Sequence, residues 1–187
     1  KNREQLEQVP YIPLLDLAIC FYYAFDGAGV ENGMIPIYRS HLENWKVTDR
    51  ELLEWAVKNT PRLFPYEIIP MENALENMIR ELPEEMRDEI LRKISMVILT
   101  NSRKTYGACS ILYPGVLERM AERMGGDFYM IPSSVHEFLL MPRDREQGEE
   151  ELKDMIAEVN RTELSAEEVL SDHLYLYCCR EKEVRMV

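Results

Sequence analysis

Apolar positions along the chain repeat with two periods, and the change from one to the other marks the elements. Met71, Ala74, Leu75, Met78, Ile79 and Leu82 recur at i, i+3, i+4 and predict a helix. Pro83 suits the first turn of a second helix with Met86, Ile90, Leu91 and Ile94 inward. Pro114 opens a third, with Val116, Leu117, Met120, Ala121 and Met124 on one face and Gly125-Gly126 as its stop. Leu152, Met155, Ile156 and Val159 mark the last long helix. Ser40–Glu43, Thr48–Glu51 and Ser165–Glu168 each match the capping box, in which a hydroxyl and a later carboxylate satisfy orphan amides. The second of these predicts a helix with Leu52, Leu53, Ala56 and Val57 inward that stops before Pro61.

Between the helices lie short apolar runs of strand character: Leu14–Phe25 (bent or partly helical), Met34–Tyr38, Met96–Thr100 and Ala108–Leu112. Asp127–Ile131 and Val135–Met141, separated by Pro132-Ser133-Ser134, predict an antiparallel hairpin. His173–Cys179 alternates two bulky sets, so both of its faces are expected to be covered, and Val184–Val187 can pair back on it. Interspersed helices and plain hairpins predict an α+β fold, a mixed or antiparallel sheet with helices packed against it, in a single domain over residues 1–187.

Composition narrows the function classes. The 187 residues are 46% apolar and 30% charged, as in ordinary globular proteins. Lys plus Arg number 22 against 34 Asp plus Glu, a net charge of −12. That balance opposes counterion displacement from phosphates and attraction to anionic lipid, so neither nucleic acid nor membrane is an expected partner. The four cysteines, at 20, 109, 178 and 179, lack C-x-x-C spacing and point to no metal site and to a reducing cytoplasm. The longest apolar stretch, Tyr11 to Phe25, is broken by Pro13 and Asp16 and is too short to span a bilayer. The first residue is Lys, which suggests a fragment lacking an N-terminal segment.

No phosphate-binding loop, dinucleotide fingerprint, H-E-x-x-H or G-x-S-x-G motif occurs, and no cofactor is implied. His41 falls in a helix's first turn, a capping position. His136 follows Ser133-Ser134 and precedes Glu137, but neighbouring strand residues face opposite ways, which disfavours a triad built from these letters. Cys109 is the one candidate nucleophile, preceded by Arg103 and Lys104, whose charge can lower a thiol pKa. The polar run Thr100–Thr105 is the best loop for ligand contact.

Three longer stretches carry a resemblance. They are Ile98 through Gly115, with Tyr106-Gly107-Ala108-Cys109-Ser110; Asp127 through Glu137; and Val159-Asn160-Arg161 with Glu167 through Tyr177. Together with Val9-Pro10 and Leu15–Ile19, they resemble the uncharacterised bacterial family DUF5688. The resemblance implies a further N-terminal segment in full-length members, and it brings no activity or catalytic residue. Tyr113–Leu117 through Gly126–Tyr129 more loosely resembles a second uncharacterised family, DUF1444.

The expected function is a non-enzymatic cytoplasmic binding or interaction module for a protein or small-molecule ligand. Its contact surface is Asn101, Arg103, Tyr106, Ser133, Ser134, His136 and Glu137. The competing expectation is a small hydrolase or transferase using Cys109 or His136, and a third is an accessory domain whose sheet the N-terminal segment completes.

Overall fold

The computed structural model describes residues 6–27, 30–76, 80, 82–83, 86–87, 96–143 and 148–187. The chain divides into two compact units, Lys1–Leu63 and Phe64–Val187.

Among its described residues the first unit carries two separate antiparallel hairpins and two α-helices. The strands are β1 (Tyr11–Leu14) with β2 (Leu17–Cys20), and β3 (Tyr22–Gly27) with β4 (Val30–Pro36). The apolar run expected as one bent or partly helical element is therefore three strands. Leu15, at φ 54°, supplies the positive dihedral that a two-residue hairpin loop needs. Helix α1 (Arg39–Trp45) starts two residues earlier than the Ser40 cap predicts: His41 Nδ1 accepts the Tyr38 amide at 3.1 Å, as the sequence position of this histidine suggested. Helix α2 (Asp49–Leu63) is capped as expected, with Thr48 and Glu51 bonding reciprocally. It does not stop before Pro61. Proline in a last turn forgoes one amide bond, and α2 continues to Leu63. Phe21, Ile37, Leu42 and Leu52 form this unit's core, with Leu53 and Ala56 against it, whereas Val57 is exposed.

The second unit is a six-stranded, wholly antiparallel sheet with helices packed on it, an α+β arrangement. Its strands are β5 (Tyr66–Pro70), β6 (Val97–Asn101), β7 (Phe128–Ser134), β8 (Glu137–Pro142), β9 (Tyr175–Cys178) and β10 (Glu183–Met186), in the spatial order β10-β9-β7-β8-β6-β5. All four residues of β9 are buried, as its two bulky faces predicted, and β10 pairs back on it. Helix α5 (Glu149–Thr162) covers one face, setting Leu152 and Ile156 on Tyr129, Ile131, Met141, Leu174 and Leu176. Met155, expected inward, is exposed, and Asn160 is buried in the same helix. Helix α4 (Val116–Met124), stopped by Gly125 at φ 79°, buries Val116, Met120 and Ala121 and sets Arg119 over the Tyr66 ring. A four-residue helix, α3 (Met71–Ala74), follows β5. The remaining stripe positions Met78 and Ile79, and Ile90, Leu91 and Ile94 after Pro83, lie outside the described residues. Among the described residues no helix is long and apolar enough to cross a membrane, and no group of three or more His, Cys, Asp or Glu could hold a metal ion.

Two local expectations fail in this unit, and both failures shape the site. Gly107–Leu112 is a 3-10 helix and not a strand. Short apolar runs do not distinguish the two, and here Gly107, Ala108 and Ser110 turn inward together. The hairpin loop is Val135-His136, since Pro132 to Ser134 belong to β7, with Ser133 in a register shift. A bulge accommodates what the proline cannot donate.

Candidate functional site

Pairing of β6 with β8, with Leu99 opposite Phe138, brings the loop after β6 beside the β7–β8 turn. The two polar segments named from the sequence are thus one cluster. Thr100 Oγ1 donates to the His136 carbonyl at 2.8 Å, and the Tyr106 amide donates to His136 Nδ1 at 3.0 Å. The Tyr106 and His136 rings lie 5.7 Å apart, tilted by 38°. Gly107 permits this approach, because a Cβ there would stand 2.5 Å from the His136 carbonyl oxygen and 2.7 Å from the Asn101 nitrogen.

The loop is built from inside. Asn101, 2% exposed, accepts the Arg103 amide at 3.0 Å through Oδ1 and donates Nδ2 to the Thr105 carbonyl at 3.0 Å. The Ser102 amide donates to the Pro65 carbonyl, and the Arg103 guanidinium lies 4.5 Å over the Phe64 ring. Lys104 and Tyr106 have φ of 53° and 50°, a left-handed conformation that strains residues with a Cβ. These internal bonds hold that strain in place. Ser102, Lys104, Thr105 and Tyr106 stay exposed.

The turn is held equally well. Ser134 Oγ accepts the His136 amide, Ser133 Oγ donates to Glu137, and the Val135 amide donates to the Glu168 carbonyl. Glu168 accepts the Ser165 hydroxyl and amide, which hold its carboxyl below the usual range. Because Nδ1 of His136 accepts a backbone amide, the neutral imidazole carries its proton on Nε2.

Cys109 sits one turn into the 3-10 helix. Its sulfur meets the Tyr113 hydroxyl at 3.8 Å, and that hydroxyl donates to the Phe64 carbonyl at 2.9 Å. Burial pushes the Cys109 thiol up, and burial with the adjacent Cys109 pushes the Tyr113 phenol up as well. The basic neighbours do not make it a thiolate: the Arg103 side chain is directed at Phe64. Sequence reasoning missed Phe64, Ser110 and Tyr113, the supports beneath the loop. Ser110 Oγ donates to the Thr100 carbonyl at 3.0 Å. Its polar side chain within an apolar run was the available signal.

Comparison with known proteins agrees with the longer motifs. Residues 1–179 match the model of the family of unknown function DUF5688. The chain belongs to that family. For this DUF5688 protein the looser likeness to DUF1444 gains no support. No curated protein and no solved structure matches the chain.

Proposed function

We propose that this DUF5688 protein is a non-enzymatic recognition module of the bacterial cytoplasm. Its contact surface is the loop 102–106 with the Val135-His136 turn. One observation carries the reading: His136 Nδ1 takes the Tyr106 amide across thirty residues of sequence and pairs the exposed Tyr106 ring of a strained loop with the half-buried His136 ring of the turn. Strain held by so many satisfied bonds is the signature of a pre-ordered binding surface, which saves ordering entropy on association. A nucleophilic role for Cys109 fits poorly, since its thiol is raised by burial and meets a phenol in place of a base.

The test is a fragment library screened by amide chemical shifts on the 187-residue chain. Responses are expected to cluster on residues 102–106 and 134–137 and to vanish in Tyr106→Ala. Responses that gather elsewhere, or that survive Tyr106→Ala, overturn the assignment.

A further inference from the structure

Loop 102–106 is tied down at two points by different chemistry. Asn101 holds the Arg103 amide and the Thr105 carbonyl with a side-chain amide that does not titrate. The Tyr106 amide is held by His136 Nδ1 at 3.0 Å, and imidazole is the side chain that changes charge between about pH 5 and 8. In the neutral ring Nδ1 accepts. In the charged ring both nitrogens are donors, so an N–H would face the Tyr106 N–H. Lys104 and Tyr106 stand at φ of 53° and 50°, so the bond lost on protonation is one that holds strained backbone.

The charged ring also has a partner of its own. The titratable and charged groups on the elements packed around the turn are Arg103, Lys104 and Tyr106 on the loop, Cys109 in the 3-10 helix, Glu137 at the start of β8, and Glu167 and Glu168 in the segment that bonds the Val135 amide. Arg103 lies over Phe64, Cys109 meets Tyr113, Glu137 accepts the Ser133 hydroxyl, and Lys104 and Glu167 are exposed. Glu168 interacts electrostatically with His136. The Tyr106 ring, 5.7 Å from that of His136, attracts a cation over its face but offers the Tyr106 amide no acceptor. The Tyr106 amide therefore favours the neutral imidazole, and the Glu168 carboxylate favours the charged one.

We propose that His136 is a proton-operated latch: neutral, it pins Tyr106 in its left-handed conformation, and charged, it pairs with Glu168 and lets residues 104–106 relax. As regulation of the contact surface this rests on the recognition reading above; as a conformational device it needs no ligand.

Two signals of the full chain test it between pH 8 and pH 5. The His136 ring resonances report protonation, and hydrogen exchange at the Tyr106 amide, corrected for the intrinsic rate at each pH, reports the latch. Tyr106 protection is expected to fall about fivefold in step with the ring, the weight of one ordinary hydrogen bond, while the Arg103 amide keeps its protection. His136→Asn places a non-titrating acceptor near the Nδ1 position and should hold Tyr106 at both ends of the range, whereas His136→Ala should leave it equally unprotected at both. Glu168→Gln retains an acceptor for Ser165, loses the charge, and should move the step to lower pH. Tyr106 protection that ignores the ring, or a step that survives in His136→Asn, overturns the latch. Fragments mapping to residues 102–106 at pH 8 would then leave the recognition surface standing. Protection that tracks the ring with no fragment on the loop keeps the latch and removes the surface.

Discussion

Replacing Gly107 with alanine tests whether the loop and turn are fused as described. A methyl group there would lie 2.5 Å from the His136 carbonyl oxygen and 2.7 Å from the Asn101 nitrogen, and nearer still to Thr100 Oγ1. The hydroxyl can rotate away, but doing so abandons its 2.8 Å bond to the His136 carbonyl, worth about 1 kcal/mol. The two backbone atoms cannot rotate, so β6 and the turn must separate, at the roughly 1–3 kcal/mol of an overpacked core. Against this, alanine restricts the unfolded chain and returns about 0.4–1 kcal/mol. The net expectation is a loss of roughly 1–3.5 kcal/mol, with Tm falling about 2–4 °C for each kcal/mol. Both tryptophans, Trp45 and Trp55, lie in the first unit, so tryptophan fluorescence reads the wrong part of the chain. Hydrogen exchange at the Tyr106 and Ala108 amides is the assay that reads the second. Gly148→Ala is the control, because a Cβ there meets nothing nearer than Glu151 Cγ at 3.8 Å, and at this helix N-cap it should cost no more than about 1 kcal/mol and leave the Tyr106 and Ala108 amides protected. Equal losses at both positions, or protection in Gly107→Ala as strong as in the parent chain, would refute the reasoning.

Two further outcomes follow from groups outside the loop. Asn160, 5% exposed, donates at 2.8 Å both to the Ser171 carbonyl and to Asp172, so Asn160→Ala strands a buried carbonyl and should lower stability by about 1–3 kcal/mol in denaturant titrations. Asp127 accepts the Cys179 amide at 2.9 Å, and that bond, helped by Arg143 and Arg180, holds its carboxyl below the usual range. A carboxyl depressed by folding stabilises the native state above its unfolded pKa of about 3.9, and the contribution disappears as pH falls through the lower folded value. Unfolding free energy measured from pH 5 to pH 2 should therefore fall less steeply in Asp127→Asn than in the parent chain; identical slopes would rule Asp127 out as the group responsible.

Local chemistry was legible where one interaction decides the element. The stripe after Pro114 with its glycine stop, the Thr48 and Ser165 caps and the return of β10 onto β9 are all decided by neighbours in sequence. Reading failed where a distant contact outweighs local preference. The run Ala108–Leu112 has strand composition, yet Ser110 is drawn to the Thr100 carbonyl and Gly107 into the turn, and together they coil it. Val57 and Met155 occupy apolar stripe positions and are exposed, because periodicity gives a helix's face but not the width of what covers it.

At the site, both polar segments were legible as polar and were expected on one surface, but the pairing of β6 with β8 that joins them was not, because strand order cannot be read from alternation. That order changes what the individual letters mean. Asn101, Ser133 and Ser134 are polar residues in loops or at strand ends, and the sequence offers them as contacts. In the fold Asn101 and Ser134 bond to backbone, and Ser133 bonds to Glu137, so their hydrogen-bonding capacity serves the scaffold. His136 divides its ring between the two tasks, holding the Tyr106 amide with Nδ1 and keeping its proton on Nε2. The outward chemistry of the surface accordingly falls to Lys104, Tyr106 and one edge of His136. Lys104 was named as a charged neighbour of Cys109 and not among the contact residues, because nothing in a lysine's letter reveals that its backbone is held left-handed and its charge lifted into solvent.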